Sequence, residues 1–218
     1  MSIVIAVDGT AASGKGTLAK RLARHFGFHH LDSGSLYRLV GLGVLEAQAD
    51  PRSEPEALAA ARAIDPARSN DPAIRTAGMG NVASIVSAFP SVRAALLEFQ
   101  RTYARQAPGT VIDGRDIGTV VCPDATVKLF VDARPEVRAR RRWLELSAAG
   151  ASPSQAQILA DILARDARDK NRAIAPLRPA PDARLLDTSD LDIDAAFAAA
   201  LALVKPGVEN ALRSQAKG

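Results

Sequence analysis

The chain has 218 residues, 47% of them apolar, which suits one α/β domain with a sizeable core and an excursion. Its formal net charge of +4 is too small to indicate nucleic acid or an anionic membrane as a partner. A single cysteine excludes an internal disulfide, and no apolar run approaches the roughly 20 residues of a membrane span. We therefore expect a cytoplasmic protein with no nucleic-acid or membrane partner.

The hydrophobic pattern predicts strands that alternate with helices. In chain order it predicts a strand at 3–7, a helix at 15–26, a strand at 29–31, a helix at 34–49, a helical or irregular stretch at 54–89, a helix at 91–105, strands at 110–112 and 126–131, helices at 135–149 and 153–175, a strand at 184–186 and a helix at 193–204. The tail from Pro206 is polar and is expected to be loose. This order predicts an α/β fold with a five-stranded parallel sheet flanked by helices.

Polar residues follow four of the predicted strands. They are Asp8-Gly9, Asp32-Ser33, the run Asp113-Gly114-Arg115-Asp116, and Asp132. Because ligands of parallel sheets bind beyond the carboxyl ends of the strands, we expect these residues to border a binding site.

The stretch GTAASGKGT, between the first strand and the first helix, predicts a phosphate-binding loop. Gly9, Gly14 and Lys15 match the pattern G-x-x-x-x-G-K in the strand–loop–helix context that the motif requires. Loop amides would wrap the β-phosphate of a nucleotide, and Lys15 would bridge to the γ-phosphate. Position 16 is glycine, so the hydroxyl that serves Mg²⁺ moves to Thr17. The predicted ATP-binding residues are Gly9, Thr10, Ala11, Ala12, Ser13, Gly14, Lys15, Gly16 and Thr17.

The segment LARDARDKNRAIAPL carries closely spaced arginines. Arg165, Arg168, Asp169 and Arg172 follow the spacing i, i+3, i+4, i+7, which places them on one face of a helix. A solvated charged face is one interpretation. Stacked arginines repel one another, however, unless an anion such as an ATP phosphate lies among them. The segment is also typical of a helical lid that closes over ATP and excludes water.

The stretch TVIDGRDIGTVV brings two carboxylates and a guanidinium to the end of an apolar strand. Such groups are costly to desolvate without partners. They could form an internal Arg115–Asp116 pair. Alternatively, an arginine donor beside an aspartate acceptor complements cytosine, whose edge presents the acceptors O2 and N3 and the N4 amine. Uracil has an acceptor at position 4, and a polar pocket can reject such an analogue by roughly 10⁴-fold.

Five motifs, in order, closely resemble those of bacterial cytidylate kinases (CMP kinases), which are nucleoside monophosphate kinases of the P-loop class. They are DGTAASGKGT, LDSGSLYR, NVASIVSAFPSVRAALLEFQR, VIDGRDIGTVV and RDARDKNRAIAPL, and the resemblance covers roughly residues 3 to 205. It implies a P-loop kinase fold with a core at about 1–34, 106–150 and 180–205, an NMP-binding region at about 35–105 and a lid at about 150–179. It also implies ATP-dependent phosphorylation of CMP and dCMP with Mg²⁺ as cofactor, in a chain that we expect to be a monomer.

The same resemblance implies roles for single residues. The positions that match cytosine-reading residues are Ser33, Ser84, Arg93, Arg115 and Asp116. The positions that match binders of the acceptor's phosphate are Arg38, Arg115 and Arg172, and those near its sugar and phosphate are Arg165 and Asp169. Arg168 would face the transferring phosphoryl group. The expected catalytic residues are thus Lys15, Arg168, Arg172 and Arg115, with Mg²⁺ near Thr17 and, through water, Asp113.

Two features depart from the family pattern. The usual loop is GPSGAGK, but this chain has Thr10 and Ala12 in place of the proline and the first of the later glycines. Because alanine at a positive φ would be strained, we expect a backbone at Ala12 that any residue tolerates. Many family members also carry a small β-rich insert in the acceptor region, whereas the chain between Ala63 and Ser84 is short, proline-rich and without strand alternation.

Other functions remain open on the sequence. The nearer alternative is a kinase for another small acceptor, such as UMP, AMP or shikimate, and the distant one is a non-enzymatic RNA-binding P-loop module. The histidines do not indicate a metal site, because His29 and His30 are neighbours on a strand and point to opposite faces. The arginines between 138 and 142 are interpreted as support for the lid, in a position to contact ATP.

Overall fold

The computed structural model describes residues 2–76, 78–148, 150, 152 and 154–216. The strands are β1 (Ile3–Gly9), β2 (His29–Asp32), β3 (Gly109–Gly114), β4 (Val127–Asp132) and β5 (Arg184–Asp187). The helices are α1 (Lys15–Phe26), α2 (Ser33–Glu46), α3 (Glu54–Ala63), α4 (Met79–Val86), α5 (Pro90–Ala104), α6 (Pro135–Ala148), α7 (Gln155–Asn171) and α8 (Ile193–Gln215). Short 3₁₀ turns occupy Pro66–Asn70 and Pro72–Arg75, and a π-helical turn occupies Ile117–Val121.

The five strands form one parallel sheet in the order β2-β3-β1-β4-β5. This confirms the predicted α/β class. The central strand β1 is apolar along almost its whole length because helices cover both faces of the sheet. Ile3, Ile5 and Val7 pack with α1 and α8, whereas Ala6 lies in a second cluster on the opposite face.

Two smaller clusters lie outside the sheet. Residues of α2, α3, α4 and α5 pack together around Leu36, Val40 and Leu96. Ile158 and Ile162 of α7 pack against Ala139 of α6. The excursions from the sheet therefore have apolar contacts of their own, which hold them in place beside the strand ends.

Helix α8 is longer than predicted. The expectation of a helix that ends at Val204 before a loose tail is wrong, because α8 continues through Pro206 to Gln215. Proline removes one helical hydrogen bond, but Val204 and Val208 on either side of it are fully buried, and Gly207 packs tightly against Val127. By length and hydropathy α8 could also cross a membrane. We assign it to the core because this face packs on the sheet.

Helix α7 is shorter than predicted. It begins at Gln155 and ends at Asn171, whereas the prediction ran from Pro153, which lies outside the described residues, to Ala175. Pro176 disfavours a helical residue before it, and Ala175 takes a left-handed conformation with φ of 52°. The N–H of Leu177 then caps the carbonyl of Asp169 at 2.7 Å. Arg172 therefore lies just beyond the helix, not on its face.

Candidate active site

The polar residues that follow the strands meet at one edge of the sheet, as predicted. Asp32 of β2 lies opposite Asp113 of β3 in the strand register. Asp8 of β1 lies opposite Gly114, and Asp132 ends β4. The loop from Gly9 to Thr17, here called the phosphate loop, leaves β1 at the same edge and leads directly into α1.

The backbone of the phosphate loop explains its glycines. Gly9 has φ of 151°, and a side chain there would meet the carbonyl oxygen of Val131 at 1.9 Å. Gly14 has φ of 89° and immediately precedes α1. Thr10 Oγ1 donates to Asp132 Oδ1 at 2.6 Å, and Ser13 Oγ donates to the Thr10 carbonyl at 3.0 Å. The loop is therefore fastened to β4 and to itself, with its amides at a helix N-terminus suited to anions.

The expectation of a permissive backbone at Ala12 is wrong. Its φ is 59°, in the left-handed region, which costs roughly 1–2 kcal/mol in a residue with a Cβ atom. The side chain packs against the cluster that contains Ile158 and Ile162 of α7. A tertiary contact thus accompanies a conformation that local preference alone disfavours.

Lys15 lies half-buried in the first turn of α1. Its Nζ is 3.5 Å from the Thr10 carbonyl. Burial, with the Arg115 guanidinium acting in the same direction, lowers the pKa of this ammonium to about 7, whereas Asp113 and Asp32 oppose the shift. A nearby anion would favour the charged form. Thr17, two residues further along the helix, is exposed.

Asp113 has a histidine partner that sequence reasoning missed. His30 Nε2 donates to Asp113 Oδ1 at 2.9 Å, while Oδ2 lies on the side of the phosphate loop, 3.5 Å from where a Cβ at Gly16 would stand. His29 instead bonds the carbonyl of Ala107 at 2.9 Å. His30 therefore holds the Asp113 carboxyl in place at the site, whereas His29 binds backbone near the opposite end of β3.

The oxygen donors near the phosphate loop fit a magnesium ion that arrives with a nucleotide. Asp113, its neighbour Asp32 and the Thr17 hydroxyl are hard oxygen donors at one end of α1. Within the described ranges no three His, Cys, Asp or Glu side chains converge as a cage. That suits Mg²⁺, which usually keeps several waters and takes one or two carboxylates together with substrate phosphates.

The internal pair between Arg115 and Asp116, one of the two interpretations of this stretch, does not form. Asp116 is instead paired with Arg93 of α5 in a short, buried ion pair. Arg93 also donates to the Ser87 carbonyl at 3.3 Å, and its guanidinium lies 5.5 Å from the Tyr37 ring centroid. The loop after β3 and helix α5 thus join in one polar pocket.

Arg115 reaches across to α7. Its Nε donates to Asp169 Oδ2 at 3.0 Å, and Ser84 Oγ donates to Asp169 Oδ1 at 3.1 Å. Burial opposes ionisation of Asp169, but Arg115, Arg165 and Arg172 hold the pKa of its carboxyl below the usual range. We call the two ion pairs Arg93–Asp116 and Arg115–Asp169 the acceptor cluster.

The remaining predicted arginines surround the acceptor cluster. Burial lowers the pKa of Arg165 to about 9, and Arg115 adds to the shift. Arg168 donates to Asn81 of α4 in a short hydrogen bond. Arg172 donates to the Ala175 carbonyl at 2.6 Å. The Nε atoms of Arg165 and Arg172 are buried without a hydrogen-bond partner, which in native proteins calls for an unseen partner such as an anion.

Two further cations lie beside Arg38. Burial lowers the pKa of the Arg38 guanidinium, and Arg142, Arg115 and Arg75 act in the same direction, opposed by Asp32. Sequence reasoning assigned Arg142 to lid support and a contact with ATP, not to the surroundings of Arg38, and it missed Arg75, for which the pattern held no signal. The neighbouring Ser33 is buried and donates to the Asp113 carbonyl at 2.8 Å.

Asp8 holds the turn that follows the DGRD stretch. Its two carboxyl oxygens accept from the N–H groups of Ile117 and Gly118 at 2.8 and 2.7 Å. Burial raises the pKa of Asp8 to about 7, against the effect of these two hydrogen bonds, and Asp116 adds to the rise. Asp8 therefore fixes the turn that follows Asp116 and, through this turn, supports the acceptor cluster.

The family model and the curated relatives that match this chain agree on one family. The family model described as cytidylate kinase matches residues 5–206. A curated cytidylate kinase from Rhodopseudomonas palustris (strain TIE-1) is 58% identical over 203 residues, covering 93% of this chain and 96% of the relative. One from Nitrobacter winogradskyi is 57% identical over the same shares. A crystal structure of an uncharacterized protein from Eubacterium ventriosum ATCC 27560 shares the fold, with a TM-score of 0.55 and 14% identity over 94% of this chain and 99% of that one.

Proposed function

The chain belongs to the cytidylate kinase family, and from this premise we propose that it transfers the terminal phosphoryl group of ATP to CMP and dCMP, forming CDP and dCDP. The observation that carries the proposal is the acceptor cluster. An aspartate fixed by Arg93 and a guanidinium fixed by Asp169 follow the same strand, next to the phosphate loop. This provides one acceptor and one donor for the edge of a base, with cations for the phosphate beside them.

In this proposal the phosphate loop, Gly9 to Thr17, binds ATP. The loop amides and the N-terminus of α1 hold the β-phosphate, and Lys15 reaches the γ-phosphate. The half-buried ammonium with its lowered pKa regains its charge when the phosphates arrive. Magnesium bound with ATP would neutralise charge on the β- and γ-phosphates, held by Thr17 and, through water, Asp113.

The acceptor nucleotide lies between the loop after β3 and helices α2, α4 and α5. Asp116 accepts from the cytosine amine, and the neighbouring residues Ser33, Ser84, Arg93 and Arg115 complete the base pocket. The acceptor's phosphate lies among Arg38, Arg115 and Arg172. Arg165 and Asp169 contact the sugar and phosphate. Carboxylates and hydroxyls of the protein itself engage several of these donors in the structure.

Catalysis by these residues is positioning and neutralisation. The attacking oxygen belongs to the CMP phosphate, which is largely dianionic at neutral pH because its second pKa is about 6, so no general base is assigned. The residues between about 150 and 179 act as a lid, and Arg168 with Arg172 neutralises charge on the phosphoryl group in flight. The lid also excludes water, which keeps the phosphoryl group from hydrolysis.

The experiment is a coupled assay of ADP release with ATP and Mg²⁺. The acceptors are CMP, dCMP, UMP, AMP and none. We expect turnover with CMP and dCMP and little with the others. Equal turnover with UMP or AMP would overturn the cytosine assignment but keep a kinase. No turnover with any acceptor, together with salt-sensitive retention of RNA, would favour the RNA-binding alternative.

A substitution tests the residue-level part of the proposal. Asp116→Asn keeps the shape of the side chain but presents an amide N–H₂ beside the base. We expect the ratio of kcat/KM for CMP over UMP to fall at least 100-fold, within the roughly 10⁴-fold that such a polar pocket supplies. Asp182→Asn, which removes an exposed ion pair with Lys128, is the matched control. An unchanged ratio in Asp116→Asn would remove Asp116 from the base pocket.

A further inference from the structure

Arg138 lies where three segments of the chain meet, outside the proposed substrate contacts. It belongs to α6 and is 2% exposed. Its Nε donates to the Ala133 carbonyl at 2.8 Å, its Nη1 to the Ala11 carbonyl at 3.2 Å and its Nη2 to Asp166 Oδ2 at 2.6 Å. One buried guanidinium therefore joins the start of α6, the phosphate loop and helix α7.

Stability alone does not explain this pair. Asp166 is 6% exposed, and its second oxygen, Oδ1, is buried without a hydrogen-bond partner. A buried ion pair usually gains little over apolar residues of the same size, because desolvation offsets the attraction. An incompletely satisfied pair gains even less. The pair between Arg138 and Asp166, here called the hinge pair, is therefore better explained by what it connects.

A second contact joins the same two segments. Ala12, next to Ala11 in the phosphate loop, packs against the cluster that contains Ile158 and Ile162 of α7. Ile158, Ile162 and Asp166 are spaced by four residues, so they share one face of α7. Arg165 and Asp169, which reach the acceptor cluster, lie on the same helix. Two adjacent loop residues are thus linked to α7, Ala11 through Arg138 and Ala12 through the apolar cluster that α6 and α7 share.

The geometry of the peptide group makes the polar contact directional. The C=O of Ala11 and the N–H of Ala12 belong to one planar trans peptide and point in opposite directions. The hydrogen bond from Arg138 to Ala11 therefore fixes the direction in which the loop presents the Ala12 N–H. A phosphate that binds the loop amides acts on the same peptide plane, and hence on Arg138 and Asp166.

We propose that Arg138 and Asp166 are positioning residues that couple nucleotide binding at the phosphate loop to the placement of helix α7 over the acceptor. This inference rests on the proposed function of the site. When the loop is occupied, the fixed Ala11 carbonyl holds Arg138, which holds Asp166 and sets α7 with Arg165 and Asp169 in place. When the loop is empty, no phosphate fixes the peptide of Ala11. Arg138 and Asp166 then hold α7 less firmly, and α7 is free to release the acceptor.

The test measures the coupling between the two nucleotides. The affinity for CMP is measured by calorimetry with and without the non-hydrolysable analogue AMP-PNP and Mg²⁺. We expect the analogue to tighten CMP binding at least 5-fold in the wild type, the lower end of ordinary coupling. In Asp166→Asn the factor should fall to less than 2-fold, while the affinity for AMP-PNP alone changes less than 3-fold. An unchanged factor in Asp166→Asn, or no coupling in the wild type, would overturn the inference.

Two further variants distinguish a loss of coupling from a loss of folding. Arg138→Lys keeps a charge near Asp166 but lacks the planar fork that reaches the Ala11 carbonyl. The double variant Arg138→Met, Asp166→Leu replaces the pair with apolar residues of similar volume. Both should lose the coupling even where thermal unfolding shows a stable protein. Asp190→Asn removes the exposed pair with Arg134 at the start of α6 and should keep the full factor.

The result separates the inference from the proposed function. A wild type that turns over CMP, with the same coupling factor in Asp166→Asn as in the wild type, overturns only the role of the hinge pair. A wild type that binds neither AMP-PNP nor CMP overturns the proposed function and the inference with it.

Discussion

The acceptor cluster and the hinge pair are built from the same residue types but differ in what the guanidinium contacts. Arg115 donates one nitrogen to the carboxylate of Asp169 and one to the carbonyl of its neighbour Gly114, and its side chain is 15% exposed. Arg138 gives two of its three hydrogen-bonding nitrogens to backbone carbonyls, and its side chain is 3% exposed. A carboxylate partner can be exchanged for a phosphate, whereas a backbone carbonyl inside the fold cannot.

This difference indicates that the acceptor cluster contacts substrate, whereas the hinge pair holds segments of the fold together. Beside the acceptor cluster, Arg165 and Arg172 hold buried nitrogens without hydrogen-bond partners, and burial together with neighbouring like charges lowers the pKa of both guanidinium groups. Such perturbation is typical of functional sites. In the hinge pair the arginine is fully used, and only one aspartate oxygen lacks a partner. Substitutions in the acceptor cluster should therefore lower turnover directly, whereas substitutions in the hinge pair should lower stability and the coupling between the two nucleotides.

The largest effect is expected for Arg115→Ala. The change removes a cation from the acceptor's phosphate and base, so kcat/KM for CMP should fall about 10³-fold, as for other preorganised charge-stabilising groups. Asp169 keeps Ser84 and Arg165 as neighbours, so the melting temperature should change by only a few degrees. Steady-state kinetics and thermal unfolding measure both quantities.

Arg115→Lys is the control for this prediction, since it keeps the charge but not the planar fork, and it should retain part of the activity. A variant at position 115 that is much less stable than the wild type but keeps its specific activity would reverse the assignment of this arginine to the site.

In contrast to Arg115→Ala, Arg138→Met should have its main effect on stability. It leaves Asp166 buried without its charge partner, which destabilises proteins by about 3–5 kcal/mol. The free energy of unfolding, from urea titration followed by circular dichroism, should fall by that amount. Addition of Asp166→Leu should restore much of the loss, because the uncompensated charge is then gone. A single variant as stable as the wild type would show that Asp166 is solvated or neutral, and the comparison would fail.

The elements near the sheet could be predicted from the sequence. Helix α1 has the predicted bounds, and the strand ends meet where the pattern of Asp8, Asp32, Asp113 and Asp132 placed them. These features depend on local hydrophobic periodicity and on the rule that ligands bind at strand ends. The bounds of most strands and helices shifted by a few residues, whereas α8 ends at Gln215 and not at Val204.

The pairing of charges could not be predicted in the same way. The sequence places Arg115 next to Asp116, but packing gives each a partner on a different helix, Asp169 of α7 and Arg93 of α5. Sequence spacing holds no signal for a partner that only tertiary packing brings near. The same reason explains the missed bond between His30 and Asp113. It also explains the continuation of α8 through Pro206, where burial of Val204 and Val208 outweighs local preference.

A smaller effect is expected in the number of protons that the protein takes up when ATP binds. With a pKa of about 7 in the free protein, Lys15 is mostly neutral at pH 8 and should become charged when phosphates bind. ATP binding at pH 8 should therefore take up close to one proton, and at pH 6 almost none. Calorimetry in buffers with different ionisation enthalpies measures this uptake.

The same measurement compares the two arginines. Arg115 is among the groups that lower the pKa of Lys15, and Arg138 is not. Arg115→Ala should thus reduce the proton uptake at pH 8, whereas Arg138→Lys should leave it as in the wild type. Lys15→Met should abolish it, and an uptake that persists in Lys15→Met would assign the proton to another group.

The smallest effect is expected for Ala12→Gly, which touches the apolar link between the phosphate loop and α7. Glycine relieves a left-handed conformation that costs roughly 1–2 kcal/mol, but it gives the unfolded chain more freedom, worth about 0.4–1 kcal/mol. It also deletes one methyl contact with the cluster around Ile158 and Ile162, worth about 0.8 kcal/mol. These terms nearly cancel, so the free energy of unfolding should stay within about 1 kcal/mol of the wild type. A loss above about 2 kcal/mol would mean that the methyl contact, not the hinge pair, holds α7 to the loop, because relief of backbone strain can only reduce the loss.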